Sequence, residues 1–148
     1  MAVTAHTYTK AADSVFKSKI ANITTDSLKV MLLSAYTVGT TQDTAQFLAD
    51  VLAVGTEASG TGYTAGGQAL ASVTWTESGH VYTLGCANPS WASSTITAAY
   101  AVFYDATPGT NATDPLLCYW DFGGNVSTTN GTFLLTVSGS GLLTITGS

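Results

Sequence analysis

Six strand-length apolar runs follow one another through the second half of this sequence, and they constrain its fold more than any other feature. Gly, Pro, Asn and Ser residues cluster between the runs, as they do in turns between strands. The regular spacing predicts a mainly β fold, an antiparallel β-sandwich or barrel-like single domain with a short N-terminal helix. The predicted strands cover residues 69–76, 80–86, 95–105, 116–122, 132–137 and 142–146.

The segment AAYAVFYD, residues 98–105, is apolar on both strand faces. A strand of this kind lies inside a sheet and is covered on both sides. We therefore predict that Val102 and Tyr104 are buried, together with Leu117 and Trp120 from the next apolar run. Alternation in that run assigns one face to Leu116, Cys118, Trp120 and Phe122, and the other to Tyr119 and Asp121.

The residues before these strands show a different period. Apolar side chains in residues 7–21 recur three and four positions apart, which predicts one N-terminal helix. Residues 27–33 are an apolar run of strand length, and residues 44–51 are predicted to form a short helix or turn at the surface. A chain of 148 residues is enough for one domain. We expect an N-terminal arm and helix in residues 1–25 and a β-sandwich in residues 26–148.

Glycines mark two predicted turns. The stretch GTGYTA, residues 60–65, fits the dinucleotide-binding pattern G-x-G-x-x-[G/A], but that pattern needs a strand before it and a helix after it. Here a helix-like segment precedes it and alternating, strand-like residues follow, so a structural turn leading into a strand is predicted. Asn130 and Gly131 are predicted to form a type I′ hairpin turn that joins or precedes the last strands.

Charge is scarce and unevenly distributed. Charged residues make up 9% of the chain, compared with roughly a quarter in an average soluble protein. Lys10, Lys17, Lys19 and Lys29 are the only basic residues apart from two histidines, and the net charge is −5. Nucleic-acid binding needs a cationic surface, so we exclude that class. A surface with so little charge is suited to contact with other subunits.

The sequence offers no recognisable catalytic constellation. His6 and His80 are isolated, and the sequence lacks H-E-x-x-H, C-x-x-C and G-x-S-x-G motifs. We expect a non-enzymatic protein without a cofactor or metal. Residues 105–114, DATPGTNATD, are rich in oxygen ligands but lack the order of a calcium loop, so calcium binding and a polar hairpin loop both stay open. Cys86 and Cys118 are expected to be buried thiols, with a disulfide as the less favoured alternative.

The aromatic residues also allow two interpretations. Aromatic side chains at alternating strand positions are typical of a core, but the same residues could form a platform for stacking sugars. Trp91, between Pro89 and Ser93, is predicted to lie at the surface. The N-terminal residues have no long apolar segment, and no stretch approaches 18 apolar residues, so neither classical secretion nor membrane insertion is expected.

Several stretches together resemble a known family. They are MAVTAHTYTKAADSVF, DSLKVMLLSAYTV, GTGYTAGGQALA, SWASSTITAAYAVFYD, PLLCYWDFGG and GTFLLTVSGSGLLTIT, in this order. The chain resembles, over nearly its whole length, a family of small structural proteins of tailed-bacteriophage virions. The resemblance implies a virion structural role without catalytic residues, and it leaves the location in the particle open. The capsid surface, reached after synthesis in the host cytoplasm, is the expected location.

Within that family, a capsid decoration or cement protein that binds and stabilises the assembled head is the leading expectation. A tail- or fibre-associated component, or a glycan-binding appendage module, is the alternative. The expected partners are the major capsid protein or other virion subunits and further copies of this chain, with a trimer as the expected oligomer. Lys10, Lys17 and Lys19 are the predicted docking contacts, and the solvation of one helix face is the competing interpretation.

Overall fold

The structure, a computed structural model, describes residues 2–16, 20 and 22–146. Strands make up 49% of it and helices 11%, which confirms the predicted mainly β fold with a short helix near the N-terminus. The helices are α1 (Thr9–Phe16), α2 (Thr41–Thr44) and α3 (Leu48–Leu52). The strands are β1 (Thr4–Thr7), β2 (Leu28–Tyr36), β3 (Gly55–Glu57), β4 (Gly60–Thr61), β5 (Gln68–Ala69), β6 (Thr74–Ser78), β7 (Val81–Gly85), β8 (Ser90–Asp105), β9 (Leu116–Ser127), β10 (Gly131–Leu134) and β11 (Leu143–Thr146).

Two antiparallel sheets form the fold. The main sheet has the order β1-β9-β8-β2-β3, with β4 and β10 also paired to β8 and β5 paired to β2. It curls strongly into a half-barrel. The second sheet has three strands in the order β11-β7-β6. The architecture thus combines features of the sandwich and the barrel that the strand spacing predicted.

Strand β8 is the centre of the main sheet. Its C-terminal half lies between β2 and β9, and its N-terminal half pairs with β4 and β10. Val102 and Tyr104 are buried, as are Leu117 and Trp120 on β9. The prediction of a central strand covered on both faces is therefore confirmed.

Each face of the main sheet has its own core. One core lies between the main sheet and the three-stranded sheet, where Phe103 and Trp120 belong to the same buried cluster as Leu84. The other lies beneath the helices, where Val102 and Tyr119 belong to the same cluster as residues of α1 and α3. Central strands covered on both faces need apolar side chains in both directions, which explains the continuous apolar run in β8.

The face assignment on β9 was wrong for Leu116. Simple alternation places Leu116 with Cys118, but Leu116 belongs to the helix-side core and Cys118 to the opposite core. The pairing register shifts here, because Phe103 faces Cys118 while Tyr104 faces Leu116. This irregularity leaves Leu117 as the extra residue. A bulge of this kind reverses the faces of the residues before it.

The predicted type I′ turn at Asn130 and Gly131 was also wrong. Asn130 has φ of +48°, but Gly131 is not among the residues with positive φ, which that turn requires at both positions. The strands on either side, β9 and β10, pair with successive parts of β8 instead of with each other. A two-residue connection with both φ values positive occurs at Gly79 and His80, between β6 and β7.

Three further features of the fold differ from the sequence predictions. The predicted strand 69–76 is divided into β5 and β6, with Ser72 at φ of +52° between them. Residues 44–51 are helical in part, but they are not a surface element, because Leu48 and Val51 are fully buried. The N-terminal arm is part of the main sheet, since β1 pairs with β9.

Candidate docking surfaces

Helix α1 is fixed by buried contacts at its N-terminal end. Tyr8, directly before the helix, is fully buried, and its hydroxyl lies 3.1 Å from the Tyr36 hydroxyl. The Thr9 hydroxyl donates to Asp43 over 2.7 Å, which links α1 to α2. Lys10 is exposed, whereas Lys17 and Lys19 lie outside the described residues. Docking through these three lysines stays a prediction.

The described part of the helical layer carries mixed charge. Asp13 lies on α1 and accepts a hydrogen bond from the Gln46 amide over 2.9 Å. Asp50 on α3 accepts the backbone N–H groups of Gln46 and Phe47, both over 2.9 Å. These carboxylates share the layer with Lys10. Any positive potential at this end would therefore be offset in part by nearby acids.

The GTGYTAGG segment lies flat against the main sheet. Gly60 and Gly67 have positive φ, and a Cβ atom at either residue would collide with backbone, Thr95 O in one case and Val30 O in the other. Glycine permits both the conformation and the close approach. The segment continues into β5 and not into a helix. The prediction of a structural turn before a strand is confirmed.

Side chains of β3 and β8, together with Tyr63 of the segment itself, hold this segment in place. Tyr63 donates to the Glu57 carboxylate over 2.9 Å, and the Gly66 N–H donates to the same oxygen over 2.6 Å. Tyr104 donates its hydroxyl to the Gly66 carbonyl over 2.7 Å. Burial raises the pKa of Tyr63, and the neighbouring Glu57 carboxylate raises it further. The role of Glu57 was missed in the sequence, since one acid outside any motif gives no signal.

One face of the three-stranded sheet is only partly covered by the core. It carries two rows of side chains that run across the three strands. Its inner row consists of Trp75, Leu84 and Leu143, which pack against the core. Its outer row consists of Glu77, Tyr82 and Ile145, where Tyr82 is 43% exposed and Ile145 is 49% exposed. The Tyr82 ring stacks on Trp75, with centroids 5.5 Å apart. This outer row is an apolar and aromatic surface next to a carboxylate.

The opposite face of the same sheet is rich in hydroxyl groups. It carries Thr74, Thr76, Ser78, Thr83, Thr144 and Thr146. Alternation between these residues and the apolar rows is the normal pattern of a strand with one covered face. The outer row is the exception. Its side chains are on the same face as the core residues, but they extend past the edge of the core and are exposed to solvent.

Trp91 was predicted to lie at the surface, and this was wrong. Trp91 belongs to β8 and is buried, with its ring 6.1 Å from Tyr63 and 6.0 Å from Phe133. The flanking Pro and Ser residues suggested a turn, but β8 begins one residue before Trp91 and continues through it. The core interpretation therefore holds for Trp91 and Trp120, which are buried. A role in stacking sugars stays open for Tyr82, which is exposed.

An apolar groove of about 440 Å³ runs beside β1. The buried side chains of Trp120, Phe122 and Phe133 line it, together with the exposed side chains of Val3 and Leu134. The volume is within the range of small-molecule sites. Among the described residues that line it, none is charged.

The loop 105–114 supports α3. The Asp114 carboxylate accepts the backbone N–H groups of Gly109 and Thr110, over 2.9 and 3.1 Å. The carbonyls of Asn111 and Asp114 accept the first N–H groups of α3, from Ala49 and Leu48. These contacts are turn and capping chemistry. Within the residues that the structure describes, no three His, Cys, Asp or Glu side chains form a metal-binding group.

The remaining candidate residues are dispersed. His6 stacks on Tyr119 with centroids 4.8 Å apart, whereas His80 lies in a turn of the other sheet and donates its backbone N–H to the Glu77 carboxylate. Cys86 and Cys118 are free thiols, and burial raises the pKa of both. In the described parts of the chain, neither histidine makes a hydrogen bond or a ring contact with a cysteine.

Comparison of this chain with protein-family models, with curated proteins and with solved structures finds no match. Among the helices of the described residues, none has both the length and the apolar character needed to cross a bilayer.

Proposed function

We propose that this chain is a structural protein of a tailed-phage virion, a decoration protein that binds the assembled head and stabilises it. The observation that carries the proposal is the outer row of the three-stranded sheet. Exposed apolar patches of this kind mark surfaces that contact other macromolecules. The sequence resemblance supplies the virion as the setting.

The rest of the surface fits the same role. Charged residues are few, and one face of the three-stranded sheet is rich in hydroxyl groups, which come largely from β6 and β11. Such a surface has little charge repulsion between neighbouring copies. A protein that binds the assembled shell and not its free subunits stabilises the shell by mass action. Major capsid protein and further copies of this chain are the proposed partners, with a trimer as the proposed oligomer.

The proposal is tested with heads from which this protein is absent. Purified protein is added, and both cosedimentation with the heads and the temperature of DNA release are measured. We expect saturable binding and a higher release temperature. A double variant, Tyr82→Ser with Ile145→Thr, should bind weakly, whereas Val54→Ser, which changes another exposed apolar residue, should bind normally. Equal binding by all three proteins would remove the outer row from the interface, and absence of binding would refute the decoration role.

A glycan-binding module of a tail fibre or appendage is the second candidate. The exposed Tyr82 ring stacked on Trp75, beside the Glu77 carboxylate, favours it, because sugars bind to aromatic rings and acidic hydrogen-bond acceptors. A glycan array combined with titration of tryptophan fluorescence distinguishes the two candidates. A decoration protein should not respond to sugars. A saturable response that is lost in Tyr82→Ser would favour the glycan module.

A further inference from the structure

The carboxylate of Asp105, at the end of β8, is buried in the interior, and one of its oxygen atoms has no hydrogen-bond partner. Asp105 is 0% exposed. Its Oδ1 atom accepts the Thr107 N–H over 2.8 Å, but its Oδ2 atom is buried and has no hydrogen-bond partner. A carboxylate oxygen that leaves water without gaining a partner strongly destabilises the folded state. Such a group calls for a proton or a cation.

The backbone brings a second carboxylate, that of Asp26, to the same place. Leu28 lies opposite Asp105 in the register of β2 and β8. Next to this pair, the Ala106 N–H donates to the Ser27 carbonyl over 2.9 Å, and the Ser27 N–H donates to the Thr107 hydroxyl over 2.8 Å. The turn that ends at Asp26 is therefore tied to the residues that follow Asp105.

The two carboxyl groups influence each other. Burial raises the pKa of Asp105, and hydrogen bonds from Thr107 oppose this. The Asp26 carboxyl raises the pKa further, both by its charge and by the hydrogen bond that the two carboxyl groups can make when one of them is protonated. Two neighbouring carboxylates repel each other when both are ionised. Asp26 is half-buried, and its Oδ2 atom accepts the Asn22 N–H over 2.9 Å, so the turn fixes its position.

We propose that Asp26 and Asp105 together bind a divalent cation, Ca²⁺ by preference. A cation between them would neutralise both carboxylates and give Asp105 Oδ2 the partner that it lacks. Ca²⁺ binds carboxylate oxygens in flexible geometries, whereas Mg²⁺ demands a near-ideal octahedron that a loop and a turn do not supply. With two protein carboxylates, water completes the coordination shell.

The expected affinity is modest and the expected effect is structural. A site with few charged ligands has a Kd of about 0.1–1 mM. The bound ion would link the turn before β2 to loop 105–114, which in turn holds the start of α3 through Asn111 and Asp114. The cation would therefore stabilise the junction between the main sheet and the helical layer.

The test uses the full chain after dialysis against EDTA at pH 7. The thermal midpoint is recorded while CaCl₂ is raised to several times the expected Kd, with MgCl₂ in a parallel series, and calorimetric titration gives the stoichiometry. We expect one Ca²⁺ per chain and a midpoint that rises with CaCl₂ as mass action requires. MgCl₂ should have a smaller effect.

Three variants make the test specific. Asp26→Asn and Asp105→Asn should lose both the calorimetric signal and the thermal response. Asp121→Asn is the matched control, because Asp121 is also half-buried and accepts one backbone N–H, from Gly123. It should respond like the unchanged chain. If Asp105→Asn does not fold, Asp26→Asn alone is decisive, since its side chain is partly exposed.

Two results would overturn the proposal. One is an absence of Ca²⁺ binding by the unchanged chain up to several millimolar. The other is a thermal midpoint that ignores Ca²⁺ while Asp105→Asn is more stable than the unchanged chain at pH 7 and equally stable at pH 4. That second pattern would show that the two carboxyl groups share a proton.

Discussion

Tyr63 donates its hydroxyl hydrogen to the Glu57 carboxylate over 2.9 Å, and the Tyr63 oxygen accepts the Leu32 N–H over 3.0 Å. Leu32 belongs to β2, next to the central strand, so one phenol connects the glycine-rich segment with the interior of the main sheet. The segment therefore stabilises the fold. Its glycines allow the close approach to the main sheet, and Tyr63 makes the hydrogen bonds that hold it there.

Removal of the Tyr63 hydroxyl should weaken the whole fold. Tyr63→Phe leaves the Leu32 N–H without an acceptor inside the sheet, and an unsatisfied buried donor costs about 1–3 kcal/mol. Urea unfolding measures the loss. Tyr100→Phe is the matched control, because in the part of the chain that the structure describes the Tyr100 hydroxyl makes no hydrogen bond. An equal effect of both variants would contradict the proposed role of the Tyr63 hydroxyl.

The close approach at Gly67 should be more important than its backbone conformation. Gly67 and Gly109 both have positive φ, at +71° and +85°. A Cβ atom at Gly67 would collide with Val30 O, whereas a Cβ atom at Gly109 meets nothing within 4 Å. Gly109→Ala should cost about 1 kcal/mol, and Gly67→Ala should cost at least twice as much. Urea midpoints that rank the two variants in the opposite order would contradict this explanation.

A charge in the centre of β8 should prevent folding. Val102 is 0% exposed, and Val102→Asp would bury an unpaired carboxylate at a cost of several kcal/mol, which is comparable with the whole stability of a small domain. We expect the variant to be insoluble or unfolded by circular dichroism. Val54→Asp changes a valine that is 42% exposed and should remain folded. A folded, soluble Val102→Asp protein would contradict the assignment of β8 as the central strand.

Stability should fall in alkaline solution. Burial raises the pKa of Tyr104 and Tyr119 to about 12, whereas a tyrosine in an unfolded chain titrates near 10. Between these values the unfolded chain binds fewer protons, so the free energy of unfolding decreases as the pH rises from about 10 to 12. Below pH 10 these two groups should contribute no slope.

The alkaline prediction is checked by urea unfolding at several pH values between 8 and 11.5. Tyr104→Phe should show a shallower decrease above pH 10 than the unchanged chain. Tyr82→Phe, which alters an exposed phenol, should retain the full slope. Identical slopes in Tyr104→Phe and the unchanged chain would show that other groups control alkaline unfolding.

The N-terminal lysines should control association if α1 faces the capsid. The triple variant Lys10→Gln, Lys17→Gln and Lys19→Gln should bind stripped particles less rapidly, with a weaker salt dependence, since charges at an interface rim mainly set orientation and association rate. Lys29→Gln is the control, because Lys29 is half-buried on β2. Unchanged binding and unchanged salt dependence in the triple variant would leave the lysines with a solvating role.

Most of the fold could be predicted from local patterns, and the errors share a cause. The burial of Val102 and Trp120 follows from apolar runs, which are a property of each strand alone. Leu116 changed faces because of a bulge, and Trp91 was buried because β10 and the Tyr63 segment cover it. The bulge at Leu116 and the burial of Trp91 both depend on contacts with segments that are distant in the sequence. The Asp26 and Asp105 pair is of the same kind. The two residues are 79 positions apart, and the pairing of β2 with β8, together with the hydrogen bonds of Ser27 to Ala106 and Thr107, brings their segments side by side.

The sequence by itself determined the β class, the central strand and the need for glycine at the tight approaches, because alternation, apolar composition and φ preference act within a few residues. The tertiary structure alone decided which strands pair, where the three-stranded sheet stops covering the core, and which polar groups are buried. These outcomes depend on register and on long-range contacts, which local patterns do not encode. Tyr82 is exposed and Leu84 is buried on the same face of one strand because the core ends between them.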